Sequence, residues 1–112
     1  MNEVTRVDAL GLPIGPALPA WQPPARPPQH PLPGRFGSVE PLDVARHARA
    51  LFDANGQDRE QRMWTYLAYG PFAQFDEYER WLTERAAGTD PLFQAFVERK
   101  SGNAVGVGAF MR

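Results

Sequence analysis

The chain has 112 residues, with 12 basic and 13 acidic side chains and a net charge of −1. That length suits one small domain, and so even a charge balance leaves no basic stripe for a phosphate backbone, which speaks against a nucleic-acid partner. There is no cysteine, so disulfides, thiolate metal sites and a cysteine nucleophile are excluded.

No apolar run approaches the ~20 residues of a membrane span. The opening Met1–Arg6 has no basic region followed by an apolar core, so it is not a secretory signal. A cytoplasmic protein is the expectation.

Nine of the 12 prolines lie between Pro13 and Pro33. Proline fixes φ and removes a donor, so residues 1–33 are expected as an extended lead, neither helix nor central strand. Scattered apolar residues, Leu10, Leu12, Ile14, Leu18, Trp21 and Leu32, predict that part of the lead lies along the domain surface, with Trp21 as an anchor. Two P-x-x-P strings, Pro24–Pro27 and Pro28–Pro31, are either structural lead-in or ligands for a polyproline-binding partner.

A first strand is expected at Arg35–Glu40, between Gly34 and Pro41. A helix follows over Leu42–Phe52, with Asp43 as a capping side chain and Val44, Ala48, Leu51 and Phe52 on one face. Asn55-Gly56 ends it, each residue able to take φ > 0. Asp58–Met63 suggests a short helical turn, and Trp64–Phe72 an aromatic loop closed by Gly70-Pro71. A second helix is predicted over Phe75–Ala87. Phe75, Tyr78, Trp81, Leu82 and Arg85 share one face, acids lead and bases trail, and Gly88 stops it.

The last part reads as a hairpin, Leu92–Arg99 and Ala104–Arg112, around a turn at Lys100–Asn103. Strict alternation puts Val105, Val107, Ala109 and Met111 on one face and Gly106, Gly108 and Phe110 on the other. The chain then stops inside or just after a strand. The expectation is a mixed α/β, α+β domain over residues 34–112, in the order β-α-α-β-β, cut short and with an open strand edge suited to self-association.

Several strings look chemical. Arg99-Lys100-Ser101-Gly102-Asn103-Ala104 fits Arg-x-x-Gly-x-Ala, a phosphate-loop pattern. Such a loop must open a helix, and Val105-Gly106-Val107-Gly108 is a poor helix start, so a hairpin turn is expected there. His47 lies on a helix near arginines and is expected to be solvated. Glu40 and Glu98 sit where a general base could sit, but read as outward strand carboxylates. No metal-ligand spacing and no nucleophile triad is present. Trp64, Tyr66, Tyr69 and Phe72 are either core and loop packing or the apolar wall of a cleft, with two hydroxyls to orient a ligand.

The element order and several strings resemble the opening half of the GNAT N-acetyltransferase fold, RimJ/RimL type. The strings are Gly34-Arg35-Phe36 with Val39–Asp43, Met63–Leu67 with Tyr69–Phe72, and Asp90–Phe93 with Ser101-Gly102 and Ala104–Gly106. Gly15-Pro16-Ala17, Trp21 and Pro23-Pro24 resemble the prelude of the same proteins. Ala68 stands where the family often has Pro, and Gln74 where it often has Ser.

The resemblance implies acetyl-CoA as co-substrate and an acceptor amine, either a protein N-terminus or a small molecule. The amine would attack the thioester directly. It further implies that Trp64, Tyr66, Tyr69 and Phe72 border the acceptor cleft. The family's Gln/Arg-x-x-Gly-x-Gly/Ala loop, which opens a helix and holds the pyrophosphate, has no counterpart in the sequence. No cofactor-binding residue is therefore expected here, and no activity of these residues alone. The other reading is a non-catalytic interaction module that uses the lead or the strand edge.

Overall fold

The structure, a computed structural model of the chain, describes residues 5–111. Its elements are β1 (Arg6–Val7), β2 (Pro13–Ile14), β3 (Leu32–Pro33), β4 (Gly37–Pro41), α1 (Val44–Asn55), a 3-10 turn (Arg62–Trp64), α2 (Phe75–Ala87), β5 (Leu92–Glu98) and β6 (Ala104–Phe110). β3 to β6 form one antiparallel sheet in sequence order, and β1 and β2 a separate two-stranded ribbon.

Both helices cover one face of the sheet. Ala48 and Leu51 of α1, Tyr78 and Leu82 of α2, Ala95 and Val97 of β5, Ala104 of β6 and Trp64 make the core. Leu82 and Leu51 lie where their helical spacing predicts, at 0% and 1% exposure. Burying each side chain contributes about 2–3 kcal/mol. α2 has the predicted bounds, with Asp76 and Glu77 in its first turn and Arg85 in its last, which suits the helix dipole.

The first strand starts later than its sequence suggests. Gly34-Arg35-Phe36 belongs to the turn of the β3–β4 hairpin, closed by the Gly34 N–H to the Gly37 carbonyl at 2.7 Å. Pro33 is tolerated in β3 because β3 is the outer strand of the sheet.

The joint between β4 and α1 corrects two expectations. Asp43 occupies the N-cap position, but its side chain caps nothing. Its backbone N–H instead donates to His47 Nδ1 at 3.0 Å. His47 is 2% exposed, not solvated. It follows Val44 by three residues and precedes Leu51 by four, so the ring points inward despite its arginine neighbours. Glu40 also points inward and is 5% exposed. Its Oε1 takes a 2.8 Å ion pair from Arg46, and its Oε2 lies 3.6 Å from His47 Nε2.

Two further differences are local. α1 ends without a left-handed residue, because Gly56 keeps φ −66° and its N–H bonds to the Phe52 carbonyl. In the last hairpin, Phe96 pairs with Gly106 but Val97 pairs with Ala104, leaving Val105 as the extra residue of a bulge. The bulge breaks strict alternation: Ala104 and Val107 both meet the helices, while Val105 is 51% exposed. Beyond the bulge, Gly106 and Gly108 lie under the Phe96 ring. A Cβ on Gly108 would stand 2.5 Å from that ring.

The lead stretches the molecule to 57 Å and its radius of gyration to 19.7 Å, against about 13 Å for a compact chain of this length. Trp21 is 62% exposed and anchors nothing. The lead meets the domain instead at Leu32–Pro33, paired with β4, and at Pro24 to Pro27, which share a shallow cleft with Leu92, Phe110 and Met111.

Replacing His47 with Ala removes the acceptor for the Asp43 amide and leaves Glu40 facing a void. The variant is expected to lose about 2 kcal/mol in urea unfolding, with faster hydrogen exchange at the Asp43 amide. Unchanged stability would show that the ring does not hold the joint.

Candidate acceptor pocket

The connection from α1 to α2 is built around Trp64. The indole is 7% exposed, and its N–H donates to Gln61 Oε1 at 3.1 Å. Gln61 is the one non-glycine residue with positive φ among those described, at φ 56°, ψ 35°. Such a conformation costs about 1–2 kcal/mol and persists only where the surroundings over-determine it. Here the Gln61 Nε2 also donates to the carbonyls of Asp58, at 2.6 Å, and Asn55, at 3.4 Å. One side chain thus ties the end of α1 to the 3-10 turn. Asp58 adds a second tie, its Oδ2 accepting from the Met63 N–H at 2.9 Å.

Gly70 crosses the face of the indole with φ +78°, and a Cβ there would come within 2.5 Å of the ring. Only glycine suits both demands. Tyr69 and Phe72, on either side of Gly70-Pro71, meet the indole edge-to-face at 6.1 and 5.5 Å. Trp81 of α2 lies against Trp64, Tyr69 and Phe72 at centroid distances of 6.3, 4.6 and 5.4 Å. Each such pair is worth about 0.5–1.5 kcal/mol beyond area burial.

Three of the four aromatics singled out in the sequence therefore come together. Tyr66 does not: it is 98% exposed, with its side chain in solvent. Trp64 and Phe72 also line a cavity of about 390 Å³ between the end of α1, the 3-10 turn and the start of α2. Its other walls are Phe52 and Tyr78, with Asn55 and Gln61 as polar groups. Tyr69 packs behind this wall and does not line the cavity.

The sequence reading missed Asn55, Gln61 and Tyr78 as lining residues. Tyr78 was legible only as a core position. For Gln61 there was one usable signal: a buried tryptophan N–H needs an acceptor nearby. Burial raises the Tyr78 phenol above its ordinary value of 10.0, opposed by a hydrogen bond with the Asn55 side chain.

No family model and no curated protein matches the sequence. Solved structures do. A GCN5-related N-acetyltransferase from Brucella melitensis is 34% identical, with a TM-score of 0.76 over 85% of this chain and 43% of its own. A probable acetyltransferase of the GNAT family from Chromobacterium violaceum ATCC 12472 is 30% identical, with a TM-score of 0.72 over 89% of this chain and 50% of its own. The fold is that of the GNAT acyltransferases. The chain spans about half the length of these two structures.

A GNAT protein holds the diphosphate of its co-substrate on backbone N–H groups, and the residues described do not suit that group. Arg99–Ala104 is a hairpin turn, closed by the Gly102 N–H to the Glu98 carbonyl at 2.8 Å, and it opens a strand. Both helices begin in acid, with Asp43 at the head of α1 and Asp76 and Glu77 in the first turn of α2. Carboxylates there repel phosphate. Among the described residues, no group of three or more His, Asp or Glu is placed to hold a metal ion. No helix among them is long and apolar enough to cross a membrane.

The raised Tyr78 value has a definite sign. The folded chain keeps the phenolic proton at a pH where the unfolded chain has released it, so stability is full below pH 10 and falls as pH rises above 10. Urea midpoints at pH 9 and 11 should show that loss, and Tyr78→Phe should reduce it. An equal loss in the Tyr78→Phe chain would assign the effect to other groups.

Proposed function

We propose that these 112 residues form the acceptor-binding side of a GNAT N-acetyltransferase of the RimJ/RimL-like branch, working in the cytoplasm on a protein N-terminal or small-molecule amine. The superposition on the Brucella melitensis structure carries this reading, because 34% identity accompanies a TM-score of 0.76. The Trp64–Leu67 and Tyr69–Phe72 strings and the cavity beside them support the acceptor side in particular. Trp64 and Phe72 would wall the acceptor, Tyr69 would brace that wall, and the exposed Tyr66 would reach the acceptor only at its solvent side.

The lack of fit to a diphosphate gives a direct test. Isothermal titration of the 112-residue polypeptide with acetyl-CoA should show no binding in the micromolar range, and no acetyl transfer should be detected. Micromolar affinity would overturn the assignment of these residues to the acceptor side alone.

A second reading has one observation in its favour. Among the described residues β6 has a strand on one side only, and Val105, Phe110 and Met111 on it or beside it are exposed. Such an edge suits pairing with a second copy. Light scattering after size exclusion separates the two: a discrete dimer favours the interaction module, a monomer the acceptor side.

A further inference from the structure

The cavity beside Trp64 is unusual in what it lacks. None of its lining residues is charged. The carboxylates flanking it in sequence, Asp53 and Asp58, do not line it: Asp53 pairs with Arg49 in solvent, and Asp58 Oδ2 accepts from the Met63 amide. Three carbonyls at the end of α1 already accept hydrogen bonds. The Phe52 carbonyl accepts from the Gly56 N–H, Ala54 from Gln57, and Asn55 from both Asp58 and Gln61. An ammonium or amidinium group entering here would leave water and meet no carboxylate among the lining residues, and an uncompensated charge in an apolar site is costly.

What the cavity offers is ring faces, the Tyr78 phenol and two neutral amides, of which Gln61 already makes three hydrogen bonds. Phe72 and Tyr78 stand edge-to-face at 5.6 Å, and Phe52 leans on Tyr78 at 5.9 Å. Asn55 is half-buried, and its bond with the Tyr78 phenol uses one of its hydrogen-bonding positions. A side-chain amide has two donors and two lone pairs, so Asn55 keeps capacity in both senses. The strained Gln61, fixed by its hydrogen bonds to Asn55, Asp58 and Trp64, makes the floor rigid before any ligand arrives.

We infer that this cavity is a binding pocket for an uncharged aromatic group bearing one amide-like polar atom, and that it rejects cations and anions of the same shape. The inference names the chemistry of the acceptor side and rests on that reading for its meaning. In an acceptor, the pocket would take the neutral ring-bearing part and leave the reacting amine outside.

Three ligands of one shape and different charge test it: benzamide, benzamidine and benzoate. They are titrated into the ¹⁵N-labelled 112-residue chain, following the Trp64 indole N–H and the Asn55 side-chain amide. Benzamide should shift both signals saturably, and the two charged analogues should bind at least ~10-fold more weakly. Ala73→Phe, which adds bulk from an exposed lining position, should abolish the benzamide shifts and leave the Tm unchanged. Benzamidine or benzoate binding as tightly as benzamide, or benzamide leaving both signals unmoved, would overturn the pocket, whatever the variant does. Acetyl-CoA affinity bears on the acceptor-side reading alone, so the two failures are distinguishable.

Discussion

The structure on the helix side depends on one buried indole. Trp64 must be dry, and its N–H must still find an acceptor. Gln61 answers that requirement, and to do so it takes a backbone conformation that residues with a Cβ rarely adopt. From this follow the turn before Trp64, the glycine that crosses its face, and the packing of Tyr69 and Phe72 against Trp81. The start of α2 is held by the same ring cluster, and the cavity is the space left between that cluster and α1. A tryptophan that merely filled volume would impose none of this.

The β4–α1 joint obeys the same logic by a different route. A helix start needs its N–H groups satisfied. Here a ring nitrogen one turn inside the helix reaches back to the backbone N–H of the N-cap residue, where a capping side chain would usually act in the other direction. That arrangement brings His47 under the sheet beside Glu40, and Arg46 pairs with the Glu40 carboxylate from the surface. The polar interior is small and sits away from the residues that line the Trp64 cavity.

The elements were legible where one periodicity spoke alone. α2 has its apolar face, its acid-to-base polarity and its glycine stop, and it runs from Phe75 to Ala87 as its pattern demands. Phe72 and Trp64 were legible as partners in an aromatic loop; the isolation of Tyr66 was not, because spacing within a loop carries no direction. His47 misleads for a related reason: its charged neighbours suggest solvent, while its spacing from Val44 and Leu51 points inward. Where the two signals conflict, spacing wins, since it fixes which side of the helix a residue occupies. The left-handed Gln61 leaves no compositional trace, because the usual residues for that conformation are glycine and asparagine.

The bulge at Val105 has a consequence for the shape of the sheet. An extra residue sharpens the local right-handed twist and interrupts the regular ladder. The outer rim of β6 is therefore not a straight template along its whole length. From Gly106 to Phe110 the backbone repeats evenly and can guide a neighbour, whereas at its start the rim turns away. Any strand laid alongside would have to begin in register after the bulge, so one misplaced valine sets both where such a neighbour starts and how few residues it can share.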